Sequence, residues 1–309
     1  MSTLRRMRYV VTGAAGFIGS HLADDLLAAG HDVVGIDSFT DYYDPALKEE
    51  NARDLDVRRL DLAEDALDFA GFDGVFHLAG QPGVRSFGDV FPLYLQRNLL
   101  ASQRVFEAAA RDGARVVFAS SSSVYGAAER YPTPEGTMPH PLSPYGITKL
   151  ACEHLADAYR RQFGLDLVVL RYFNAFGPRQ RPDMAFTRIV FGLAEGTPFE
   201  LYGNGEQSRS WTYVSDVVAG TIRAMERGTG TYNVGGALEA SMNESIALLE
   251  ELSGRTLEVR RHPAVAGDQQ RTKADTSRIR DELGWAPLGA LEDGLARHWE
   301  WASARVGTA

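Results

Sequence analysis

The 309-residue chain has a single cysteine, Cys152, so no disulfide can form within it. That economy fits a reducing compartment. No stretch reaches the ~18 uninterrupted apolar residues of a membrane-spanning helix. The opening residues 1–8 are short and polar and run straight into a strand, unlike a secretory leader. These absences predict a cytoplasmic protein with no membrane partner. Basic residues are in deficit, 32 Lys and Arg against 41 Asp and Glu, for a formal net charge of −9. A nucleic-acid partner rewards a basic face, so none is expected. A small anionic ligand, which needs only a few local arginines, stays open. The seven histidines are scattered, none beside another His or Cys at metal-ligand spacing, so no metal is expected. Internal repeats and low-complexity linkers are also missing.

What is present in the first half is an alternation of strand and helix signals. Apolar runs at 9–12, 32–37, 57–60, 74–78, 116–119 and 167–170 predict strands. Helical patterns follow the first, with Ile18, Leu22, Leu26 and Leu27 on one face and Gly30 as the stop, and recur at about 92–112 and 143–163. Near-continuous apolar strands separated by helices predict a parallel sheet covered on both faces. The second half is less regular. A Gly-, Pro- and Arg-rich loop spans 174–184, Ser241 and Glu244 form a capping box, and helices are expected near 275–283 and 291–303. The expected architecture is α/β: a doubly wound parallel Rossmann-type sheet with a smaller α/β substrate-binding lobe. Residues 1–172, joined by a segment near 212–236, form the first unit; 173–309 form most of the second.

Between the first strand and first helix lies Gly13-Ala-Ala-Gly16-Phe17-Ile18-Gly19. Such glycines permit a tight turn and close approach to a pyrophosphate, and the helix N-terminus adds free N–H groups and a positive dipole end. The spacing is GxxGxxG rather than GxGxxG, and its strength comes from the strand–loop–helix context. Asp37 ends the second strand, about 20 residues on, where a carboxylate accepts hydrogen bonds from ribose hydroxyls and repels a 2′-phosphate; NAD is therefore expected over NADP. Asp61 and Leu62 after the third strand, and Leu78, Ala79 and Gly80 after the fourth, lie on the ligand-binding edge of such a sheet.

Tyr145 and Lys149 are four residues apart on a predicted helix and share one face. A free tyrosine, with a pKa of about 10, is a poor base at neutral pH. A nearby ammonium and an oxidised nicotinamide favour its phenolate and make it a usable general base. Ser120 to Ser123 follow the fifth strand and offer hydroxyls to a reacting oxygen.

Together TGAAGFIG, SSSSVYG, SPYGITK and RYFNAFGPRQRPDM resemble the extended short-chain dehydrogenase/reductases, and more narrowly the NAD-dependent sugar-nucleotide epimerases, over nearly the whole chain. The resemblance implies Ser121, Tyr145 and Lys149 as catalytic residues. It implies Tyr172, with Phe173, beside the nicotinamide. It also implies transient oxidation at the sugar C4, rotation of the 4-keto sugar and return of hydride to its other face. Relatives that dehydrate carry Asp-Glu after the catalytic hydroxyl, and decarboxylases carry Glu at the second position; here Ser122 and Ser123 stand there. Both activities therefore rank below epimerisation, and Ser122 becomes a substrate contact.

The segments 37–48, 77–85 and 177–184 resemble the UDP-hexuronate members, implying conversion of UDP-glucuronate to UDP-galacturonate, with Arg181 on the hexuronate carboxylate and Arg85 assisting. A guanidinium matches a carboxylate with two parallel bonds. Asn174, Tyr202, Gln207, Arg209 and Arg271 fall on the family's UDP-binding segments, the last two as diphosphate ligands. The rival readings are a UDP-glucose/UDP-galactose 4-epimerase and a non-catalytic NAD sensor. Related enzymes pair through the helices near 92–112 and 143–163, so a homodimer is expected, with Ala108, Ala109 and Ala110 permitting either the contact or internal packing.

Overall fold

The computed structural model describes residues 5–83, 87–264 and 269–307. Six strands of the first half are β1 (Arg8–Thr12), β2 (Asp32–Asp37), β3 (Val57–Arg59), β4 (Gly74–His77), β5 (Arg115–Ser121) and β6 (Leu167–Tyr172). They lie in the order β3-β2-β1-β4-β5-β6, and Gly230–Val234 extends the sheet beyond β6. Every pairing is parallel. The order reverses at β1, which sits between β2 and β4. At such a switch point the crossover connections leave toward opposite faces and open a crevice at the strands' C-terminal ends.

The apolar runs explain the burial. Val11, Phe76, Val117 and Val168 face one cluster with Leu22, Leu26 and Val217 from the helices Phe17–Ala28 and Val214–Arg227. Val10, Val75, Val116 and Val169 face another with Val105, Phe106 and Ala156. Successive strand residues alternate between the two faces, as the pleat requires. Ala108 and Ala109 belong to this second core, so of the alternatives open from sequence those two pack inside.

A separate cluster holds the second lobe, where Ala185–Glu195, Met242–Ser253 and Leu291–Val306 pack together around Phe186, Ile189, Leu249 and Leu295. Its small sheets join Ser208–Ser210 to Glu239–Ser241 and Arg271–Thr272, and Phe199–Tyr202 to Val259–His262. The capping box opens Met242–Ser253 as expected: Glu244 N–H donates to the Ser241 hydroxyl and Ser241 N–H to the Glu244 carboxylate. Among the described residues no helix is long and apolar enough to cross a membrane.

The helix expected over 92–112 is not uniform. It begins as Phe91–Tyr94, widens to a π-helical segment Leu95–Leu100, and resumes as Ala101–Asp112. The widened turn holds Asn98, 1% exposed. Such π segments cluster at functional sites.

Candidate active site

The crevice is lined from the strand ends upward. Gly13, with φ of +70°, makes the turn out of β1, and its N–H donates to Ile36 of β2. A Cβ on Gly19 would lie 2.1 Å from the Gly13 carbonyl oxygen, so only glycine lets the helix Phe17–Ala28 approach the strand this closely. That helix has no side-chain cap and no acidic residue in its first turn. Its free N–H groups and positive dipole end therefore stay open to an anion. Asp37 stands beside it and accepts hydrogen bonds from Ala15 N (3.2 Å) and Phe39 N (2.8 Å), with lone pairs left for a ligand's hydroxyls. Cradle, dipole and carboxylate fit a dinucleotide.

Gly13, Gly16, Phe17, Ile18, Gly19, Asp37, Asp61, Leu62, Leu78, Ala79, Gly80, Tyr145, Lys149 and Tyr172 all line this one cleft. The tip of β4 is held from below. Thr12 Oγ accepts from Ala79 N (3.2 Å) and contacts Nδ1 of the buried His77 at 2.8 Å, while His77 Nε2 lies 3.0 Å from Ser102 Oγ. Burial, helped by the positive charge of Lys149, pushes His77 down to about 3, so it stays neutral. Asn98 accepts from Gln81 N (2.7 Å) and donates to Gln81 O and Thr148 Oγ (both 3.1 Å). It thereby ties the β4 tip to the helix between Tyr145 and Lys149.

Tyr145 and Lys149 sit on the first turns of Pro144–Phe163, whose N-cap Ser143 accepts from Gly146 N at 3.1 Å. Lys149 Nζ is buried, donates to Ala119 O at 2.8 Å and lies 5.9 Å from the Tyr145 ring centre. Its charge is thus carried on the same face as the phenol. Of the four serines, Ser120 lines the cleft but donates to Glu153 Oε1 at 2.5 Å, which commits its proton. Ser121 caps the next turn by accepting from Ser123 N at 3.1 Å, and its own hydroxyl donates to Ser123 Oγ at 3.1 Å. Ser122 begins that short 3₁₀ turn.

Behind the serines lies a buried polar network. Arg171 of β6 grips Glu153 with Nε (3.0 Å to Oε1) and Nη2 (2.6 Å to Oε2), and donates through Nη1 to Tyr125 Oη at 2.8 Å. Tyr125 donates to Asn233 Oδ1 at 2.7 Å, and Asn233 N–H to Glu135 at 2.8 Å. The helix Pro144–Phe163, β6, the last strand of the sheet and the 126–142 loop are joined at one point.

Arg181 comes from the second half and lines the same cleft. Its Nε and Nη2 donate to Asp183 Oδ1 (2.9 Å) and Oδ2 (3.0 Å), and Tyr42 Oη donates to Asp183 Oδ2 at 3.3 Å. Burial alone would lower the Arg181 pKa; the Asp183 partnership outweighs it and raises it. The remaining expected residues gather elsewhere in the lobe. Asn174, with φ of +35°, donates to Thr272 Oγ at 2.7 Å. Arg271 pairs with Glu239 through Nε (2.6 Å) and Nη2 (2.7 Å), and Arg209, on the neighbouring strand, donates to Ser208 O (2.8 Å) and Gln269 O (2.6 Å). Tyr202 stacks on His262 at 5.0 Å, and Gln207 donates to Tyr202 O at 3.0 Å; both line a second hollow. Arg85 and residues 267–268 lie outside the described residues.

The model of the NAD dependent epimerase/dehydratase family matches residues 9–235. The chain belongs to that family. The UDP-glucuronate 4-epimerase of Thermodesulfobacterium geofontis is 33% identical over 96% of this chain and 97% of its own length. An uncharacterized UDP-glucose epimerase of Bacillus subtilis, YtcB, is 41% identical over 96% and 98%. The crystal structure of UDP-glucuronic acid 4-epimerase from Bacillus cereus in complex with UDP-glucuronic acid and NAD superposes with a TM-score of 0.93 at 37% identity, over 97% of this chain and all of that one.

For this epimerase/dehydratase chain, sequence reasoning did not single out several cleft residues: Ser38, Thr40, Tyr42, Tyr43, Lys48 and Arg97. Lys48 is buried, donates to Thr40 O at 2.7 Å, and lies 4.8 Å from the Tyr43 ring centre. Burial, then the Asp37 charge, pushes the Tyr43 phenol up to about 12, so it stays protonated. Arg97 donates to Gln81 Oε1 at 2.7 Å. The available signal was the density of tyrosines and charges in 38–48, directly after Asp37.

Proposed function

We propose that the chain is an NAD-dependent UDP-glucuronate 4-epimerase that interconverts UDP-glucuronate and UDP-galacturonate. The observation that carries this reading is one cleft shared by an uncapped helix N-terminus, Asp37, the Tyr145–Lys149 pair and, across from them, Arg181. NAD held by the glycine turn, the open end of Phe17–Ala28 and Asp37 would supply a reversible hydride acceptor for C4. Lys149 stabilises the phenolate of Tyr145. Tyr145 takes the O4 proton as the C4 carbonyl forms, and restores it to O4 when hydride reaches the opposite face. Ser121, on turning its hydroxyl from Ser123 Oγ toward the substrate, donates a hydrogen bond to O4 and steadies the charge that passes there. The Arg181 clamp holds the carboxylate out of alignment with the 4-keto group, because a β-keto acid loses carbon dioxide when the two align.

The nucleotide half rests on the lobe of residues 173–309. Arg209 and Arg271 on paired strands meet the diphosphate, with Asn174, Tyr202 and Gln207 beside them. A cytoplasmic homodimer completes the reading: Phe91, Leu95 and Ile147, 37%, 41% and 50% exposed, lie on the two helices expected to pair. Incubating the purified protein with UDP-glucuronate should yield UDP-galacturonate at a stable ratio without added NAD. Tyr145→Phe should abolish turnover while NAD stays bound and the fold melts unchanged. Activity surviving in that variant, or no product from wild type, refutes the assignment.

A further inference from the structure

The loop that carries Arg181 is fastened on two sides. Gln180, 3% exposed, donates through Nε2 to Ala175 O at 2.9 Å and accepts from Thr187 Oγ at 3.0 Å, which ties it to the helix Ala185–Glu195. The other tie runs to the helix Phe17–Ala28, whose first turn lines the cleft. There His21 Nε2 lies 2.9 Å from Pro178 O, and Arg179 Nη1 pairs with Asp24 at 2.7 Å. A carbonyl oxygen only accepts, so the His21 ring carries a proton on Nε2 and donates it. Burial lowers the His21 pKa, so the ring is uncharged at neutral pH. The Asp24 side chain is 52% exposed, and its ion pair contributes little by itself. Arg179 nevertheless holds a φ of +62°, a left-handed conformation that side chains disfavour. Such a turn persists where its neighbours hold it. The neighbours here are His21 and Asp24, three residues apart on one helix face.

A second contact brings the cofactor seat into line with this tie. Phe17 lines the cleft at the start of the helix, and its ring meets the His21 ring edge-on with centres 6.1 Å apart. Phe17, His21, Pro178 and, three residues on along the loop, Arg181 form an unbroken chain from the glycine turn to the guanidinium. We propose, resting on the epimerase reading above, that His21 is a positioning residue coupling the two ends of the cleft: a dinucleotide seated on the first turn of Phe17–Ala28 holds His21 against Pro178 and so sets Arg181 where the hexuronate carboxylate binds. Cofactor and the sugar end of the substrate then bind cooperatively, each tightening the other by the same factor. His21 acts through Pro178 and Arg181 and takes no part in the proton or hydride transfers.

Two variants of the full chain test this: His21→Leu removes the donor, and His21→Gln puts an amide N–H the same number of bonds from Cβ. Amide hydrogen exchange of residues 177–184 is followed by mass spectrometry on the NAD-loaded protein and on the same protein stripped of NAD. With NAD bound, exchange across the loop should slow about fivefold or more in wild type, the scale of one hydrogen bond, and less than about twofold in His21→Leu. His21→Gln should recover most of the slowing. In turnover assays of the NAD-loaded protein, His21→Leu should raise KM for UDP-glucuronate about fivefold, with kcat and the inhibition constant of UDP, which lacks the hexuronate, each moving less than about twofold. Should His21→Leu fail to fold, His21→Asn, whose amide falls one bond short of Pro178, carries the same expectations. Slowing by NAD that persists in His21→Leu, or UDP and UDP-glucuronate weakening together as a merely structural loss would have it, overturns the proposal. So does a wild-type loop whose exchange is the same with and without NAD. The exchange measurement needs no sugar nucleotide, so wild type that leaves UDP-glucuronate unconverted overturns the epimerase reading, while exchange still decides the coupling.

Discussion

Glu153 lies one turn beyond Lys149 on the helix Pro144–Phe163, and Arg171 immediately precedes Tyr172 on β6. Their side chains are 9% and 7% exposed, and the pair is bidentate. Arg171→Met leaves the Glu153 carboxylate buried with only the Ser120 hydroxyl. Glu153→Leu leaves a buried guanidinium with a phenol and a backbone carbonyl. Removing one member of such a pair costs about 3–5 kcal/mol, whereas replacing both by apolar groups of similar volume is often neutral. Each single variant should therefore lose about 3–5 kcal/mol in urea denaturation, a large part of the ~5–15 kcal/mol typical of a folded protein. The Glu153→Leu/Arg171→Met double variant should lose less than the larger single loss. Turnover, measured well below the unfolding midpoint, should fall in the singles and stay low in the double, because Ser120 and the helix register lose their anchor. Losses below about 1 kcal/mol that simply add would mean the pair behaves as an exposed one, and would refute the burial argument.

Other outcomes are equally open to measurement. Gly19→Ala places a methyl against the Gly13 carbonyl, so the variant should release NAD during gel filtration; co-elution of NAD with folded protein would contradict the cradle described above. His298 is fully buried, neither ring nitrogen has a hydrogen-bond partner among the described residues, and burial pushes its pKa from 6.5 to about 3. The unfolded chain binds that proton below pH 6.5 and the folded one does not, so stability falls as pH drops from 6.5 toward 3. His298→Leu should remove up to about 1.4 kcal/mol per pH unit of that slope, and unchanged urea midpoints across pH 4–6 relative to wild type would refute it. Asn98→Ala cuts the tie between Gln81 and the helix that carries Tyr145 and Lys149, so KM for NAD and kcat should both worsen in steady-state assays of NAD-stripped enzyme.

The elements that were legible in the sequence are those whose signal is local. Apolar runs placed all six first-half strands to within a few residues, and the glycine spacing and the four-residue interval of Tyr145 and Lys149 survive intact in the cleft. The widened turn around Asn98 was not legible, because one polar residue inside an amphipathic pattern looks like an exposed position until the β4 tip is placed beside it. The helices Ala185–Glu195 and Val214–Arg227 were likewise not foreseen as helices. The pairing of Arg181 with Asp183 depends on the turn of the 177–184 loop, where Gly177 and Arg179 adopt positive φ. Tyr42, Tyr43 and Lys48 reach the cleft through a loop whose path is set by Asp37 and Thr40 rather than by its own periodicity.

The strand Gly230–Val234 completes the sheet beside β6 only after the chain has left to build part of the lobe and returned. During synthesis, β6 must wait for more than fifty further residues before its outer row of N–H and C=O groups is covered. An open edge flanked by Val168, Val169 and Leu170 is a template for pairing with another nascent chain. A fragment ending at 172 should therefore self-associate, however well its nucleotide loop is formed. The smaller lobe that the sequence suggests, packed on the first unit rather than tethered to it, would then mature together with the sheet that this last strand completes.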